Sequence, residues 1–309
     1  MTQTNIAVVG AGSVGCFYGG LLAKAGHKVT LIGRPIHVKE INANGLRVEL
    51  ADSNEIIRLN ASTEMTDISE ADLVLVCVKS PDSRQTAIAM KPHLKPDALV
   101  LSLQNGVDNC QRLQKELTQT CFATVVYVAT GMQGPGHVKH FGRNELILGD
   151  VTLSGKFDQH LNQVASLLNE AGIKTDVAKN INLALWSKFL VNCTYNGISA
   201  IGQISYGNMA KVPEILNLIE SITKEVLSIA NQEGVSIALE DAMKMNERIF
   251  ITMNGQKSST AQDLARHKPT EIDYLNGYIV NKGREYGIPT PFNETILSLV
   301  KLLERRPTK

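Results

Sequence analysis

One stretch of the chain combines an amine and two amides at helical spacing. Lys188, Asn192 and Asn196 follow one another at intervals of four within the segment 185–200, whose other residues are mostly apolar or aromatic. In an α-helix, side chains so spaced lie nearly above one another on one face. An ammonium can stabilise and protonate an oxygen that gains charge, and amides can bind a polar ligand without adding charge.

This polar stripe allows two interpretations. A thin solvent-facing seam is the commoner arrangement of such residues, and it carries no chemistry. The alternative is a stripe that lines a ligand cleft, because a helix that is apolar around the rest of its circumference is normally buried. The residues that precede the stripe in the chain favour the second interpretation.

The first thirty residues predict a dinucleotide-binding unit. A buried strand over 6–9 leads directly into a GxGxxG turn, and a helix and a second strand over 28–32 follow. In this context the first glycine makes a tight turn, the second lets the backbone approach a pyrophosphate, and the third allows close helix packing. A purely structural turn is the less favoured alternative. The cofactor-binding candidates of the turn are Gly10, Ala11, Gly12, Ser13, Val14 and Gly15.

The end of the second strand indicates which dinucleotide is bound. An NAD-binding unit usually places Asp or Glu there to hold the ribose 2′-hydroxyl, whereas this chain has Gly33 and Arg34. A guanidinium can pair with a 2′-phosphate, which a carboxylate would repel. We therefore predict NADP(H) as the cofactor, with a plain surface position for Arg34 as the alternative.

Two more candidates follow apolar strands. Lys79 comes after the nearly unbroken apolar run 72–78, and Asn105 comes after the run 98–103. Ligands of parallel α/β sheets bind outside the carboxyl ends of the strands, so both side chains are expected to contact cofactor or substrate. The pair Asn105-Gly106 also favours a turn, and the two interpretations are compatible.

The element pattern predicts an α/β protein. Strands and helices alternate up to about residue 179, and only helical periodicity follows. This pattern is typical of a Rossmann-type dinucleotide-binding domain (residues 1–179) followed by an all-helical C-terminal domain (180–309), with the ligand cleft at their junction. Within these domains we expect a hairpin over 138–148 and one helix over 272–286. A capping box of Thr270 and Asp273 is expected to open that helix.

Two polar segments of the second half are ambiguous. Ser258, Ser259 and Thr260 precede a helical turn and can offer hydroxyl groups to an anion, but an ordinary N-cap is the favoured interpretation. Glu271 lies at the start of the next predicted helix, where an acid suits the helix dipole. A catalytic role for Glu271 therefore cannot rest on its spacing.

Composition excludes several classes of protein. With 31 basic and 30 acidic residues among 309, the net charge of +1 argues against nucleic acid as a partner. The five cysteines are scattered without a CxxC pair, and neither a signal peptide nor a membrane-spanning run is evident, which predicts a reduced cytoplasmic protein. His137 and His140 lie on opposite faces of a strand, so no metal site is expected. A homodimer is compatible with this sequence.

Taken together, these motifs resemble the ketopantoate reductase (2-dehydropantoate 2-reductase) family. The matching residues are GAGSVG at 10–15, the Gly33-Arg34 pair, VKS at 78–80, LQNG at 103–106, the Lys188-Asn192-Asn196 stripe and SST to KPTEIDYLNG over 258–277. The resemblance implies NADPH-dependent reduction of ketopantoate to pantoate, in pantothenate biosynthesis. It also implies the site roles: Lys188 is the general acid, Glu271 binds the substrate hydroxyl, Asn192, Asn196 and Ser259 hold substrate, and Asn105 lies near the nicotinamide.

Three positions depart from the family pattern and leave rival functions open. Gly197 stands where members often carry proline, Ser199 replaces a common threonine, and Gln256 replaces a frequent pocket asparagine. These differences bear on the substrate more than on the reaction, so a reductase of another small 2-oxo acid is the closest rival. A non-catalytic NADP(H) sensor is the second rival. Such a sensor does not need Lys188 and Glu271.

Overall fold

The computed structural model describes residues 3–305 of the chain, and these residues form two compact units. The boundary between the units falls between Ile181 and Asn182. The first unit contains a mixed β-sheet with helices, and the second is helical. The prediction of a Rossmann-type domain followed by an all-helical domain is thus confirmed as a fold class.

The first unit alternates strands and helices for most of its length. Its strands are β1 (Asn5–Val9), β2 (Lys28–Ile32), β3 (Leu46–Glu49), β4 (Asn54–Ile57), β5 (Asn60–Ser62), β6 (Leu73–Val76), β7 (Leu99–Ser102), β8 (Cys121–Gly134), β9 (His137–Gly149) and β10 (Lys174–Val177). Its helices are α1 (Ser13–Lys24), α2 (Pro35–Asn44), α3 (Ser83–Met90), α4 (Asn109–Gln114) and α5 (Asp158–Glu170). The strand order is β4-β3-β9-β8-β7-β6-β1-β2-β5, and β10 pairs with β9.

The centre of the sheet is parallel and brings four loops to one edge. The last residue of β1, Val9, is in register with Ile32 of β2 and with Val76 of β6, and Val76 is in register with Ser102 of β7. From β1 the chain continues to β2 on one side of β1, and after β5 it returns to form β6 on the other side. This change of direction makes β1 a topological switch point. The turns that follow these four strands therefore leave the sheet side by side.

β8 and β9 form a long antiparallel ribbon, and the predicted hairpin over 138–148 is wrong. β9 runs without a turn and pairs with β8 from Gly134 to Ala123. Shifts in register occur where a turn was expected, and Gly142 and Arg143 adopt φ values of 136° and 58° there. Gly142 therefore belongs to a β-bulge and not to a turn. The local sequence did not predict this, because the bulge forms against β8, an earlier strand of the chain.

The second unit is built from helices. Its elements are α6 (Ile181–Gly202, which begins at the last residue of the first unit), α7 (Tyr206–Met209), α8 (Pro213–Gln232), α9 (Leu239–Thr252), α10 (Ser259–Ala265), α11 (Asn276–Tyr286) and α12 (Pro291–Glu304). Buried polar side chains join them. Glu225 of α8 accepts hydrogen bonds from the backbone N–H groups of Phe292 and Asn293 at 2.9 Å each, which places a carboxylate at the N-terminus of α12.

The single helix predicted over 272–286 is interrupted, and its capping box does not form. A 3-10 turn covers Ile272–Tyr274, and Leu275, with φ −111° and ψ −100°, separates it from α11. The Thr270 hydroxyl donates to Oε1 of Glu304 at 2.7 Å, and Asp273 forms an ion pair with Lys301. The Thr270 hydroxyl oxygen still accepts a hydrogen bond from the N–H of Ile272 at 3.2 Å. In a capping box Asp273 would accept from the Thr270 N–H, but that N–H donates to Oε1 of Glu304 in α12 at 2.8 Å.

Candidate functional site

The glycine-rich turn has the backbone geometry that its glycines allow. Gly10 has a φ of 113°, and a Cβ there would lie 2.7 Å from the backbone of Cys77. A Cβ on Gly15 would collide with the carbonyl oxygen of Gly10, so this glycine lets α1 begin close to the turn. Side-chain-bearing residues are therefore excluded at both positions by neighbouring backbone atoms, which cannot move cheaply.

Gly12 differs from the other two glycines because it faces open space. Within residues 3–305, no atom other than those of its chain neighbours and of its own helix backbone lies within 4 Å of the Cβ position that a side chain would occupy. Gly12 is the N-cap of α1 and provides no side-chain cap. The first N–H groups of α1 and the positive end of its dipole therefore remain available to an anion. Ser13 and Val14 form the first turn of the helix and are half-buried. This cradle fits a pyrophosphate.

The end of β2 lacks an acid for a steric reason. A Cβ on Gly33 would lie 2.5 Å from the Cβ of Ala11, so the glycine-rich turn leaves no room for a carboxylate side chain at this position. The next residue, Arg34, is exposed and forms the N-cap of α2. Arg34 thus lies at the same edge of the sheet as the glycine-rich turn.

Lys79 and Asn105 follow neighbouring strands at this edge of the sheet. Lys79 is exposed and comes three residues after the end of β6, and Asn105 is half-buried and comes three residues after the end of β7. Because β6 and β7 are parallel and in register, the two side chains belong to adjacent loops. The sequence prediction placed both residues at the carboxyl ends of strands, where the structure has them.

A buried polar network that the sequence reasoning did not identify supports Asn105. Its carbonyl oxygen accepts hydrogen bonds from the hydroxyl of Ser80 at 3.1 Å and from Nδ2 of Asn109 at 2.5 Å. Ser83 donates to Asn109 at 2.9 Å, and Gln104 donates to Ser83 at 2.7 Å. These groups fasten the loops after β6 and β7 to each other. The available signal was a cluster of small polar residues directly after two apolar strands.

The amine and the two amides of the stripe belong to α6. Lys188 and Asn192 are half-buried, whereas Asn196 is only 4% exposed. The helix is continuous through all three, so the intervals of four place the side chains along one face. A solvated seam would leave the stripe exposed, and the burial therefore argues against that interpretation.

Hydrogen bonds from Ser258 bring the segment around Ser259 against α6. The Ser258 hydroxyl donates to the carbonyl oxygen of Asn196 at 3.0 Å, and the Ser258 N–H donates to the hydroxyl oxygen of Ser199 at 3.1 Å. The same hydroxyl caps α10 by accepting from the N–H of Ala261. The N-cap interpretation is thus correct for Ser258, while Ser259 is exposed at the first position of α10.

Glu271 lies in a segment that is also fastened to α6. It is half-buried and precedes the 3-10 turn, and its side chain makes no capping bond there. A few residues later, Nδ2 of Asn276 donates to the carbonyl oxygen of Cys193 at 2.9 Å, and the ring of Tyr278 packs edge to face on Phe189. The structure thus brings the segments of Ser259 and Glu271 to the helix that carries the stripe.

The two histidines have separate neighbours. Nε2 of His137 lies 3.0 Å from Oε2 of Glu49, whereas the ring of His140 stacks on Phe17. Across residues 3–305, no cluster of His, Cys, Asp and Glu has a metal-binding arrangement. In the same part of the chain, no helix is long and apolar enough to cross a membrane.

A sheet with a parallel centre, a switch point at β1 and an uncapped helix behind a glycine-rich turn define the class of protein: a Rossmann-type dinucleotide-binding protein. A family model described as "Ketopantoate reductase PanE/ApbA" matches residues 6–152, and its companion, "Ketopantoate reductase PanE/ApbA C terminal", matches residues 180–304. The chain therefore belongs to the PanE/ApbA ketopantoate reductase family, and it is an oxidoreductase.

Relatives of known sequence and structure agree with this assignment. The 2-dehydropantoate 2-reductase of Halobacterium salinarum is 32% identical, over 97% of this chain and 99% of that protein. A PanE/ApbA family ketopantoate reductase from Ralstonia eutropha JMP134 has a TM-score of 0.91 at 46% identity, covering 97% of this chain and 98% of that one. D-mandelate dehydrogenase with NADH and anilino(oxo)acetate also has a TM-score of 0.91, at 27% identity and with the same coverage.

Proposed function

We propose that this protein catalyses the NADPH-dependent reduction of ketopantoate (2-dehydropantoate) to pantoate, a step of pantothenate biosynthesis. The observation that carries the proposal is the half-buried Lys188 on the face of α6 that also presents Asn192 and Asn196. Membership of the ketopantoate reductase family supports the reaction. The matched residues include the stripe itself and the segments of Ser259 and Glu271.

The proposed chemistry divides between the coenzyme and the side chains of the second unit. The bound coenzyme supplies a hydride to the 2-oxo carbon. Lys188 stabilises the charge that develops on the carbonyl oxygen and then protonates that oxygen, which completes the alcohol. Asn192, Asn196 and Ser259 hold the substrate, and Glu271 binds its hydroxyl group.

NADPH is the proposed coenzyme because the end of β2 offers a guanidinium and no carboxylate. Gly33 cannot carry an acid, since its Cβ position lies 2.5 Å from the Cβ of Ala11. Arg34, exposed at the start of α2, is the group that would pair with the 2′-phosphate. In the proposed complex, Lys79 and Asn105 complete the coenzyme-binding edge.

Replacing Arg34 by alanine is expected to raise the KM for NADPH by about 10- to 100-fold, the usual effect of losing a charge-assisted hydrogen bond. The KM for NADH should stay within about twofold, because NADH has no 2′-phosphate. Steady-state kinetics with both coenzymes measure this. Lys39→Ala removes an exposed cation from the same helix and serves as the control, with both constants unchanged. Equal KM values for the two coenzymes in the wild type would contradict the NADPH assignment.

A reductase of another 2-oxo acid is the second candidate, and one observation favours it. The fold superimposes on D-mandelate dehydrogenase with a TM-score of 0.91, the same value as on the ketopantoate reductase from Ralstonia eutropha. Ketopantoate, 3,3-dimethyl-2-oxobutanoate and phenylglyoxylate should therefore be compared as substrates through the absorbance of the reduced coenzyme. We expect the highest kcat/KM for ketopantoate. Preference for phenylglyoxylate would establish the second candidate, and tight NADPH binding without any turnover would indicate a sensor.

The cysteines do not take part in the proposed chemistry. All five are free thiols, and burial raises the pKa of the Cys16 and Cys121 thiols to about 12 in each case. Such thiols stay protonated and unreactive, unlike a catalytic cysteine. Unpaired buried thiols fit a reducing compartment, and we place the enzyme in the cytoplasm.

A further inference from the structure

A buried tyrosine contacts the amide at the end of the polar stripe. Tyr206 is the first residue of α7, and its hydroxyl donates to Oδ1 of Asn196 at 3.4 Å. Its ring packs edge to face on Tyr195, with the ring centroids 5.3 Å apart. Its backbone N–H donates to the carbonyl oxygen of Gln256 at 2.9 Å. The side chain of Tyr206 is thus held by α6, and its backbone is held by the loop before α10.

The contact with Tyr206 involves one end of the Asn196 amide, its oxygen. An asparagine side chain carries one acceptor oxygen and one NH₂ donor, and these ends exchange places when the amide flips. In the part of the chain that the structure describes, Oδ1 of Asn196 accepts from Tyr206, whereas its Nδ2 has no protein acceptor. Burial raises the pKa of the Tyr206 hydroxyl, so the phenol stays neutral and able to donate.

The backbone of Asn196 is held independently of its side chain. The Ser258 hydroxyl donates to its carbonyl oxygen at 3.0 Å, and the continuous helix α6 fixes its Cα. The remaining freedom of this residue is therefore the orientation of the amide, which is the freedom that the Tyr206 contact removes.

We propose that Tyr206 is a positioning residue, which orients the amide of Asn196 so that its N–H groups face the substrate. This inference rests on the proposed function, and it names the chemistry that Asn196 recognises. The substrate group that meets Asn196 is an oxygen acceptor, such as a carboxylate, keto or hydroxyl oxygen. A group that can only donate, such as an ammonium, finds no acceptor there.

The test is Tyr206→Phe, which removes one oxygen and keeps the ring. Without the phenol the amide can flip, and the KM for the 2-oxo acid should rise about 3- to 10-fold, the effect of a lost neutral hydrogen bond. The kcat should stay within about twofold, and the Kd of NADPH should not change. Tyr195→Phe is the matched control, because the Tyr195 hydroxyl donates to the backbone carbonyl of Asn246 and not to the stripe. This control should lower the Tm without changing the KM.

A double-mutant cycle separates positioning from general packing. Because Tyr206 acts through the Asn196 side chain, Tyr206→Phe should have no effect on KM in an Asn196→Ala background. The same rise in KM in both backgrounds, or an unchanged KM in the single variant, would overturn the inference. A wild-type protein that turns over none of the 2-oxo acids overturns the proposed function and this inference together. An active wild type with an unaltered Tyr206→Phe variant overturns the inference alone.

Discussion

Replacing Lys188 by alanine is expected to lower kcat by about 10²- to 10⁴-fold, the usual contribution of a positioned general acid. The variant loses both the ammonium that stabilises the developing charge and the proton that completes the alcohol. The Kd of NADPH should remain unchanged, because the proposed coenzyme cradle belongs to the first unit. Single-turnover measurements of coenzyme oxidation, together with fluorescence titration of NADPH, would separate the two quantities.

Two further lysine variants sharpen this experiment. Lys188→Arg keeps the positive charge but supplies a poor acid, since a guanidinium does not release its proton near neutral pH. It should retain substrate binding better than the alanine variant and still lose most of its turnover. Lys224→Ala removes an exposed lysine of α8 that pairs with Glu220 of the same helix, and it should leave kcat unchanged. A Lys188→Ala enzyme within tenfold of wild-type turnover would rule out the acid role.

The second large effect is expected in the glycine-rich turn, where substitutions of two glycines should impair different properties of the protein. Gly12→Ala should raise the Kd of NADPH at least about tenfold, since a methyl group there occupies the space open to the pyrophosphate. Its Tm should match that of the wild type, because the φ of −87° suits alanine and, among the described residues, no more distant part of the chain lies within 4 Å of the new Cβ. Isothermal titration and thermal unfolding measure the two effects.

Gly10→Ala is the matched comparison and should act on folding. Its φ of 113° is strained for alanine, and the new Cβ would lie 2.7 Å from the backbone of Cys77, which belongs to the loop after β6. We expect the free energy of unfolding to fall by about 3 kcal/mol, from backbone strain together with displacement of that loop. Unchanged NADPH affinity in Gly12→Ala would show that the pyrophosphate binds elsewhere. A fully stable Gly10→Ala would show that the turn is less tightly packed than its geometry indicates.

The parts of the site that could be predicted from sequence are those encoded by near neighbours. The GxGxxG turn, the missing acid after β2 and the polar stripe of α6 each depend on residues within a few positions of one another. The carboxyl ends of β6 and β7 could also be predicted from the sequence, since buried parallel strands are nearly continuous apolar runs. These features were enough to indicate the fold class and the family.

Other features depended on partners that lie far away in the chain. The segment 138–148, predicted as a hairpin, instead runs as part of one strand with a β-bulge near Gly142, because it pairs along its length with β8. Thr270 does not form the expected capping box with Asp273, because Oε1 of Glu304 accepts hydrogen bonds from both its hydroxyl and its backbone N–H. Local propensity is worth a few tenths of a kcal/mol to about 1 kcal/mol per residue, and a buried contact with a distant element easily exceeds it.

The sequence by itself determined that a dinucleotide cradle precedes a helix carrying one amine and two amides. Only the tertiary structure decided how those groups are held. Asn109 and Ser80 support Asn105, and Tyr206 and Ser258 engage Asn196 from other elements. The reason is physical: helix and turn patterns arise from neighbours along the chain, whereas a buried hydrogen bond requires two groups that only folding brings together.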